Sequence, residues 1–539
     1  MGKIIKNKIG NVFLALGLVL TMVLTFSLSA CGTPSSPDEY MQYVEKKDAD
    51  QGKEFLVGYL GQMNKAMDMK DSSRVGTIKI TPSDNLKSMA ALLGDAAPDL
   101  SKLENISIET TVGQSDDVML EKMLFKGNDA DILTLNMLID AKNSRLYYQI
   151  PELSEAYLNV DASAAEGEEA EAVTASFALL QSLASGDFVM DSSDVEKIYD
   201  RYVEILTKSL KNVEKKEKQK LEAEGVSQNT DVYTATYTKD EAQKLLEDII
   251  GSLKKDEQIL SYLKKLKVEE KTYTDELDQI LAKLKDEGIG EGTLSLSDYV
   301  SDDEIVGREI TIKESKDDKE PVVVKVLQPK DGDKFGYLLS VESDGEQVFS
   351  VTGQGTDKKE VLNGEFTVHV AKDALDGAAA DVGSSLTSDE VLKVKVSDYD
   401  YGKLKDGEVS GKYEITCPGI AQIATGKIVY EMSGNMESAK GKLSVLMGEQ
   451  EMVSMDITGE TGDKMDVKLP GDSDKVYDIT KSDEIQEYYS GLDIQGVLAN
   501  VKDKLGIDLS TMFLGASAGL SSASPSDSGD LDLNDLTME

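Results

Sequence analysis

Gly411-Lys-Tyr-Glu-Ile-Thr-Cys417, Gly426-Lys-Ile-Val-Tyr-Glu-Met432 and Gly441-Lys-Leu-Ser-Val-Leu-Met447 follow one another at intervals of 15 residues. In each, apolar side chains fall on every second position: Tyr413, Ile415 and Cys417; Ile428, Tyr430 and Met432; Leu443, Val445 and Met447. A period of two is the mark of a strand with one apolar face. Each Gly-Lys is expected to open a strand. Strand and turn repeated at constant length fit an antiparallel meander in one curved sheet, because parallel neighbours would need a crossover helix between them.

The same alternation appears on both sides of this stretch. Upstream it runs through Ile106, Ile108, Thr110 and Val112; Leu133, Leu135, Met137 and Ile139; and Leu146, Tyr148 and Ile150. Nearer the repeat it returns in Val322 to Val326, Phe366 to Val370 and Leu392 to Val396. Helical spacing marks 38–70, with Phe55, Tyr59, Leu60, Met63 and Met67 on one face, and again 162–288. Within the second region, Ser193–Glu196 and Thr238–Glu241 read as capping boxes, Val232–Tyr237 reads as a lone strand, and a helix from Asp275 stops at Gly288. Lys208, Lys211, Lys215, Lys216, Lys218 and Lys220, interleaved with Glu214 and Glu217, are expected on the solvated back of an amphipathic helix. A capped helix is expected over 482–505.

The fold class expected is therefore α+β: a large curved antiparallel meander, half-barrel-like, with a central helical insertion and terminal helices. Its divisions are a leader (1–30), a tether (31–38), a helix with antiparallel strands (39–161), a mainly helical insertion (162–299), a meander with a C-terminal helix (300–515) and an acidic tail (516–539).

Of 539 residues, 100 are Asp or Glu and 58 Lys or Arg, a formal charge of −42. Such a surface repels phosphate, which excludes nucleic acid as a partner and gives no attraction to anionic headgroups. One His and two Cys cannot build a zinc finger or a disulfide framework. The N-terminus nevertheless points to a membrane. Lys3, Lys6 and Lys8 precede an uncharged apolar run from Ile9, which ends Leu28-Ser29-Ala30-Cys31 before a polar stretch. This resembles a bacterial lipoprotein signal with its lipobox. The resemblance implies cleavage between Ala30 and Cys31, diacylglycerol on Cys31, and a body held at the outer face of the cell membrane. Loss of the three lysines takes the formal charge to −45. An uncleaved anchor is the alternative, since about 20 apolar residues span a bilayer.

Catalytic patterns mostly lack their partners. Gly515-Ala-Ser-Ala-Gly519 matches a nucleophile elbow, but the single histidine, His369, lies upstream, on the polar face of its strand with Glu365 and Thr367. Ser252-Leu-Lys-Lys255 and Ser261-Tyr-Leu-Lys264 match Ser-x-x-Lys without the accompanying motifs. Cys417 reads as a buried, inert thiol. Gly288-Ile-Gly-Glu-Gly292 lacks phosphate-loop spacing, and Asp530–Asp535 departs from a calcium loop where Gly is required. No metal site and no cofactor are expected.

Beyond the lipobox, Arg145-Leu-Tyr-Tyr-Gln-Ile-Pro-Glu-Leu-Ser154 with the strand Tyr157–Val160, and the strand-to-helix unit Val232–Leu260, resemble a family of lipoproteins of low-GC Gram-positive bacteria whose function is not established. That family is distantly similar to half-barrel lipoproteins of the lipid and lipoprotein carrier class. The resemblance implies a non-enzymatic envelope protein with a hydrophobic ligand in a groove between sheet and helices. The 19 Met suit a soft, adaptable lining. Two alternatives stay open: a solute-binding lipoprotein of a transporter, which predicts alternating β and α through two lobes, and a carboxylate-based hydrolase, which needs two acids converging in a cleft.

Overall fold

The computed structural model describes residues 36–67, 72–92, 99–115, 117–161, 190–266, 268–287, 292–314, 320–343, 345–371, 388–420 and 425–506. The lipobox Leu28-Ser29-Ala30-Cys31, most of the tether, the Gly515–Gly519 match, residues 288–291 and the acidic tail lie outside them.

Eight helices are named here: α1 (Pro37–Met67), α2 (Asp84–Leu92), α3 (Ser192–Ser209), α4 (Lys239–Leu253), α5 (Glu257–Lys265), α6 (Glu270–Glu287), α7 (Ser482–Ser490) and α8 (Ile494–Leu505). The strands are β1 (Ser72–Pro82), β2 (Ile106–Ser115), β3 (Val118–Gly127), β4 (Ala130–Asp140), β5 (Arg145–Gln149), β6 (Tyr157–Asp161), β7 (Glu214–Ala223), β8 (Val226–Tyr237), β9 (Gly292–Ser301), β10 (Glu304–Glu314), β11 (Val322–Leu327), β12 (Lys330–Asp331), β13 (Lys334–Ser343), β14 (Glu346–Lys358), β15 (Val361–Val370), β16 (Glu390–Asp400), β17 (Glu408–Thr416), β18 (Gly426–Asn435), β19 (Ser438–Met447), β20 (Gln450–Asp463) and β21 (Val476–Asp478).

All 21 belong to one sheet. It begins at β7 and runs through β8, β9, β10 and β11 to β13, with the short β12 beside it, then in sequence order to β20. There β20 pairs with β1 along Ser72↔Asp463 to Pro82↔Val453, and the order continues through β2 to β6. Every ladder is antiparallel except the last, β6 with β21. The two β regions of the sequence are thus one continuous sheet. It is open, with β7 and β21 at its two edges among the described residues.

The repeat sits where its register says it should. Tyr413 pairs with Tyr430 and Tyr430 with Leu443; Ile415 pairs with Ile428 and Ile428 with Val445. Directly opposed residues share a face, so the alternating apolar positions line up across strands. Only Gly426 opens a strand, however. Gly411 and Gly441 lie inside theirs, both opposite Met432.

The helical insertion needs more correction. Lys215, Lys216, Lys218 and Lys220 lie on β7, not on a helix: α3 ends at Ser209, Leu210 turns to extended backbone, and the chain returns as a hairpin with β8. Strand geometry replaces the expected Glu214–Lys218 pair with Lys215–Asp231 at 2.9 Å and Lys215–Glu217 at 3.2 Å. Alternating Lys and Glu has no apolar stripe at either period, so periodicity has nothing to act on there. The lone strand is likewise an inner one, flanked by β7 and β9. Ser193–Glu196 does not cap α3, whose N-cap is Asp191 without a side-chain bond. The Thr238–Glu241 box does form. Thr238→Ala should cost about 1 kcal/mol, read as a lower urea midpoint at unchanged slope. The expected helix over 482–505 is two, α7 and α8, broken at Gly491–Asp493, where Asp493 caps the second.

The main core lies where α1, α3, α4 and α6 cover β8 to β11, around Met41, Val44, Val203, Tyr237, Leu245, Leu296 and Ile310. The β7–β8 hairpin curls over its neighbours and buries Leu221 and Ala223 against Val306 and Leu327. At the other side, α8 packs Val501 and Leu505 on Leu103 and Ile132, and α7 packs Tyr488 on Tyr477 and Ala156.

Candidate functional site

Between these two helical blocks the sheet keeps an apolar face that no described helix fills. Reading across the ladders, one row runs Val396, Tyr413, Tyr430, Leu443, Met455, Ile80, Ile106; the next runs Met432, Gly441, Ile457, Ile78, Ile108, Phe125. On the opposite face of the same strands stand Lys412, Glu414, Glu431, Lys442 and Asp456, with ion pairs such as Lys412–Glu431 at 3.0 Å. Apolar alternation normally turns its oily side to a packed core. Here Ile78, in the second row, is 40% exposed and Ile428, in the neighbouring row with Ile415 and Val445, is 38% exposed, whereas Ser107, on the polar face of β2, is 4% exposed. The result is a trough with a hydrophobic floor.

Aromatic rings line its upper part. Tyr399 and Tyr413 lie 5.9 Å apart, and Tyr413 and Tyr430 6.4 Å. Burial, with Tyr399 and Tyr430 alongside, pushes the Tyr413 hydroxyl up to about 12, so it stays neutral. Helix α1 forms the rim. Its 31 residues reach from the main core past the turn Tyr401–Asp406 to β1. Gly58 passes the Lys405 backbone, Gln62 sits against Gly407 and Met436, and the Ala66 carbonyl accepts from Arg74 Nε at 2.8 Å. Phe55 and Tyr59 stack on one another at 6.4 Å along the rim.

The space beneath the helices, where the sequence suggested a ligand groove, is nearly filled. The cavity lined by Val203, Leu206, Leu210, Leu245, Leu296 and Glu45 has a volume of only about 20 Å³. That is one water's worth.

Glu45, at its edge, belongs to a buried ionic knot. Arg308 on β10 donates from Nε to Asp298 Oδ1 on β9 at 2.8 Å, and its Nη2 lies 2.8 Å from Glu45 Oε2 on α1. Glu45, Asp298 and Arg308 are 2%, 0% and 4% exposed, with Asp48 also buried nearby. Desolvation holds the Glu45 carboxyl well above the usual carboxylate range; Arg308 opposes this and Asp298 adds to it. Tyr237, buried beside the knot, and the half-buried Tyr199 are each pushed up to about 12, first by desolvation. Local pattern gave no sign of the knot, because Glu45 and Asp48 read as ordinary polar positions of a surface helix.

The residues weighed for chemistry are scattered. His369 is half-buried on β15, opposite Ser350 and Glu390. Ser252 is on α4 and Ser261 on α5. Cys417 is a free, half-buried thiol just beyond β17. Glu45 and Asp298 do converge, but around Arg308 inside the packed core, where a glycoside has no room. Among the described residues no group of three or more His, Cys, Asp or Glu is placed to hold a metal, and no helix is long and apolar enough to cross a membrane.

No family model and no curated protein matches the chain. Two solved structures are weakly similar. The crystal structure of Pseudomonas aeruginosa OccK5 (OpdH) covers 74% of this chain and 98% of its own, at 10% identity and a TM-score of 0.18. The intact Ap-TbpB structure, with N and C lobes, covers 74% and 78% at 8% identity and a TM-score of 0.09. Scores this low carry no argument about fold or function.

Proposed function

We propose that this chain is a lipid-anchored extracytoplasmic protein, non-enzymatic, that binds an apolar ligand of acyl-chain character along the trough. The single observation behind this reading is the apolar face from β16 to β3 that no described helix fills, with Ile428 and Ile78 exposed amid half-buried Tyr, Met and Ile side chains. Exposed apolar surface of this extent marks an interaction site, and Met432, Met455 and Met123 make the floor soft enough to fit chains of differing shape. The lipobox supports the location: Cys31 as the lipidated residue, on the outer face of the cell membrane, with the −45 body kept off the bilayer by its own charge. From β9 to β20 strand follows strand with no described α-helix between them, which does not match the alternating β and α of the transporter-receptor alternative.

The test is a chain beginning at residue 31 with Cys31→Ser. It should release co-purifying lipid on organic extraction and bind a fluorescent fatty acid saturably. Ile428→Asp should weaken that binding at least about tenfold, since a carboxylate in an acyl-lined floor loses roughly 1.4 kcal/mol or more. Absence of both lipid and saturable binding in the parent chain rejects the proposal.

A further inference from the structure

Helix α8 is aimed at the trough. It starts where the Asp493 N–H donates to the Leu153 carbonyl, between β5 and β6. It crosses β4 where Asn500 Nδ2 donates to the Ile132 carbonyl at 3.1 Å, and reaches the turn between β3 and β4, where Asn128 Nδ2 donates to the Lys504 carbonyl at 2.8 Å. Leu505 then lies directly over Gly127, with no room for a Cβ between them. Gly506, in the left-handed region, ends the helix against Lys102, just before β2. Gly127 pairs with Ile106, and from Ile106 the trough row runs through Ile80, Met455, Leu443 and Tyr430 to Tyr413. The chain therefore leaves the described residues at one end of the trough, after crossing the strands in the trough's own direction.

The sequence after Gly506 is unlike the rest of this acidic chain. Ile507-Asp-Leu-Ser-Thr-Met-Phe-Leu-Gly-Ala-Ser-Ala-Gly-Leu520 carries one charge, Asp508, in 14 residues, whereas 29% of the whole chain is charged and five acids with no base follow Leu520. From β2 to β17 is five strand spacings, about 24 Å, and 14 residues reach about 46 Å when extended. We propose that residues 507–520 seat in the trough of their own chain, as a plug that an incoming apolar ligand has to displace. Seating takes apolar surface out of water on both sides and supplies a cover for an oily face that no described helix fills. Attachment to α8 holds the segment at an effective concentration on the order of millimolar, while a formal charge of −45 on each body opposes the approach of a second copy. The seating does not depend on the ligand reading above; only the plug's role as a competitor rests on it.

Because the chain has no Trp, Phe513→Trp in the chain beginning at residue 31 with Cys31→Ser places a single reporter in the segment. Its emission should lie well to the blue of the urea-unfolded chain and stay there on dilution. Adding Ile78→Asp, at a side chain already 40% exposed, should move the emission to the red while far-ultraviolet circular dichroism stays constant. Ile428→Asp should do the same, which keeps the test decisive if the first variant fails to fold. Emission equal to that in urea, or unmoved by either aspartate, overturns the plug; emission that reddens on dilution gives the trough to a second copy and overturns it too. Phe513→Asp with Leu514→Asp, in a chain otherwise intact, should raise binding of the neutral apolar dye Nile red several-fold and tighten fatty-acid binding in proportion. Dye binding unchanged by that pair also overturns the plug. If dye binding rises and fatty acid binds neither chain, the ligand reading fails and the plug stands.

Discussion

Arg308→Met should lower unfolding free energy by about 3–5 kcal/mol, measured by urea denaturation at pH 7. Among the described residues Arg308 is the cation paired with Asp298, which is 0% exposed, and Glu45 and Asp48 also act on its charge. Removing it strands charge inside the main core. The desolvation penalty then stands without its compensating Coulomb attraction. Most of the loss should be recovered when Asp298→Asn and Glu45→Gln are added, because replacing a whole buried ionic group is far cheaper than breaking it. A loss below about 1 kcal/mol in Arg308→Met would mean that water enters the knot. Failure of the triple variant to recover would mean that the arginine's stem, rather than its charge, supports α1.

Phe335→Ala should be nearly as damaging, at about 3–5 kcal/mol. Phe335 is 1% exposed, and its ring lies 6.0 Å from that of Phe366 and directly over Gly364, the one residue type that leaves room for it. Its neighbour Gly336 meets the Ala223 carbonyl where the β7–β8 hairpin closes over the sheet. A cavity at residue 335 would therefore loosen β13 to β15 and the closure together. A drop in urea midpoint with an unchanged slope is the expected reading. A cost near 1 kcal/mol would show that the hairpin collapses into the space.

Much of the strand content was legible because alternation is a local property. Tyr413, Tyr430 and Leu443 could be aligned from spacing alone, and they do face one another. Where the pattern was polar throughout, as over Glu214–Lys220, neither period was expressed and the strand read as helix. The trough was half legible: its apolar residues were named strand by strand, but alternation does not say whether the oily side is covered. The knot was invisible, since Glu45 and Arg308 become partners only through folding.

By itself, then, the sequence determined the α+β class, the antiparallel order of the repeat, the capping box at Thr238 and the excess of negative charge. Only the tertiary structure decided that β20 meets β1 to make one sheet, that the helices fill the space beneath them, and that an apolar floor stays open beside them. The physical reason is range. Periodicity and capping are set by residues within a turn or two, whereas pairing across the chain and the cost of a buried charge depend on which surfaces are removed from water together.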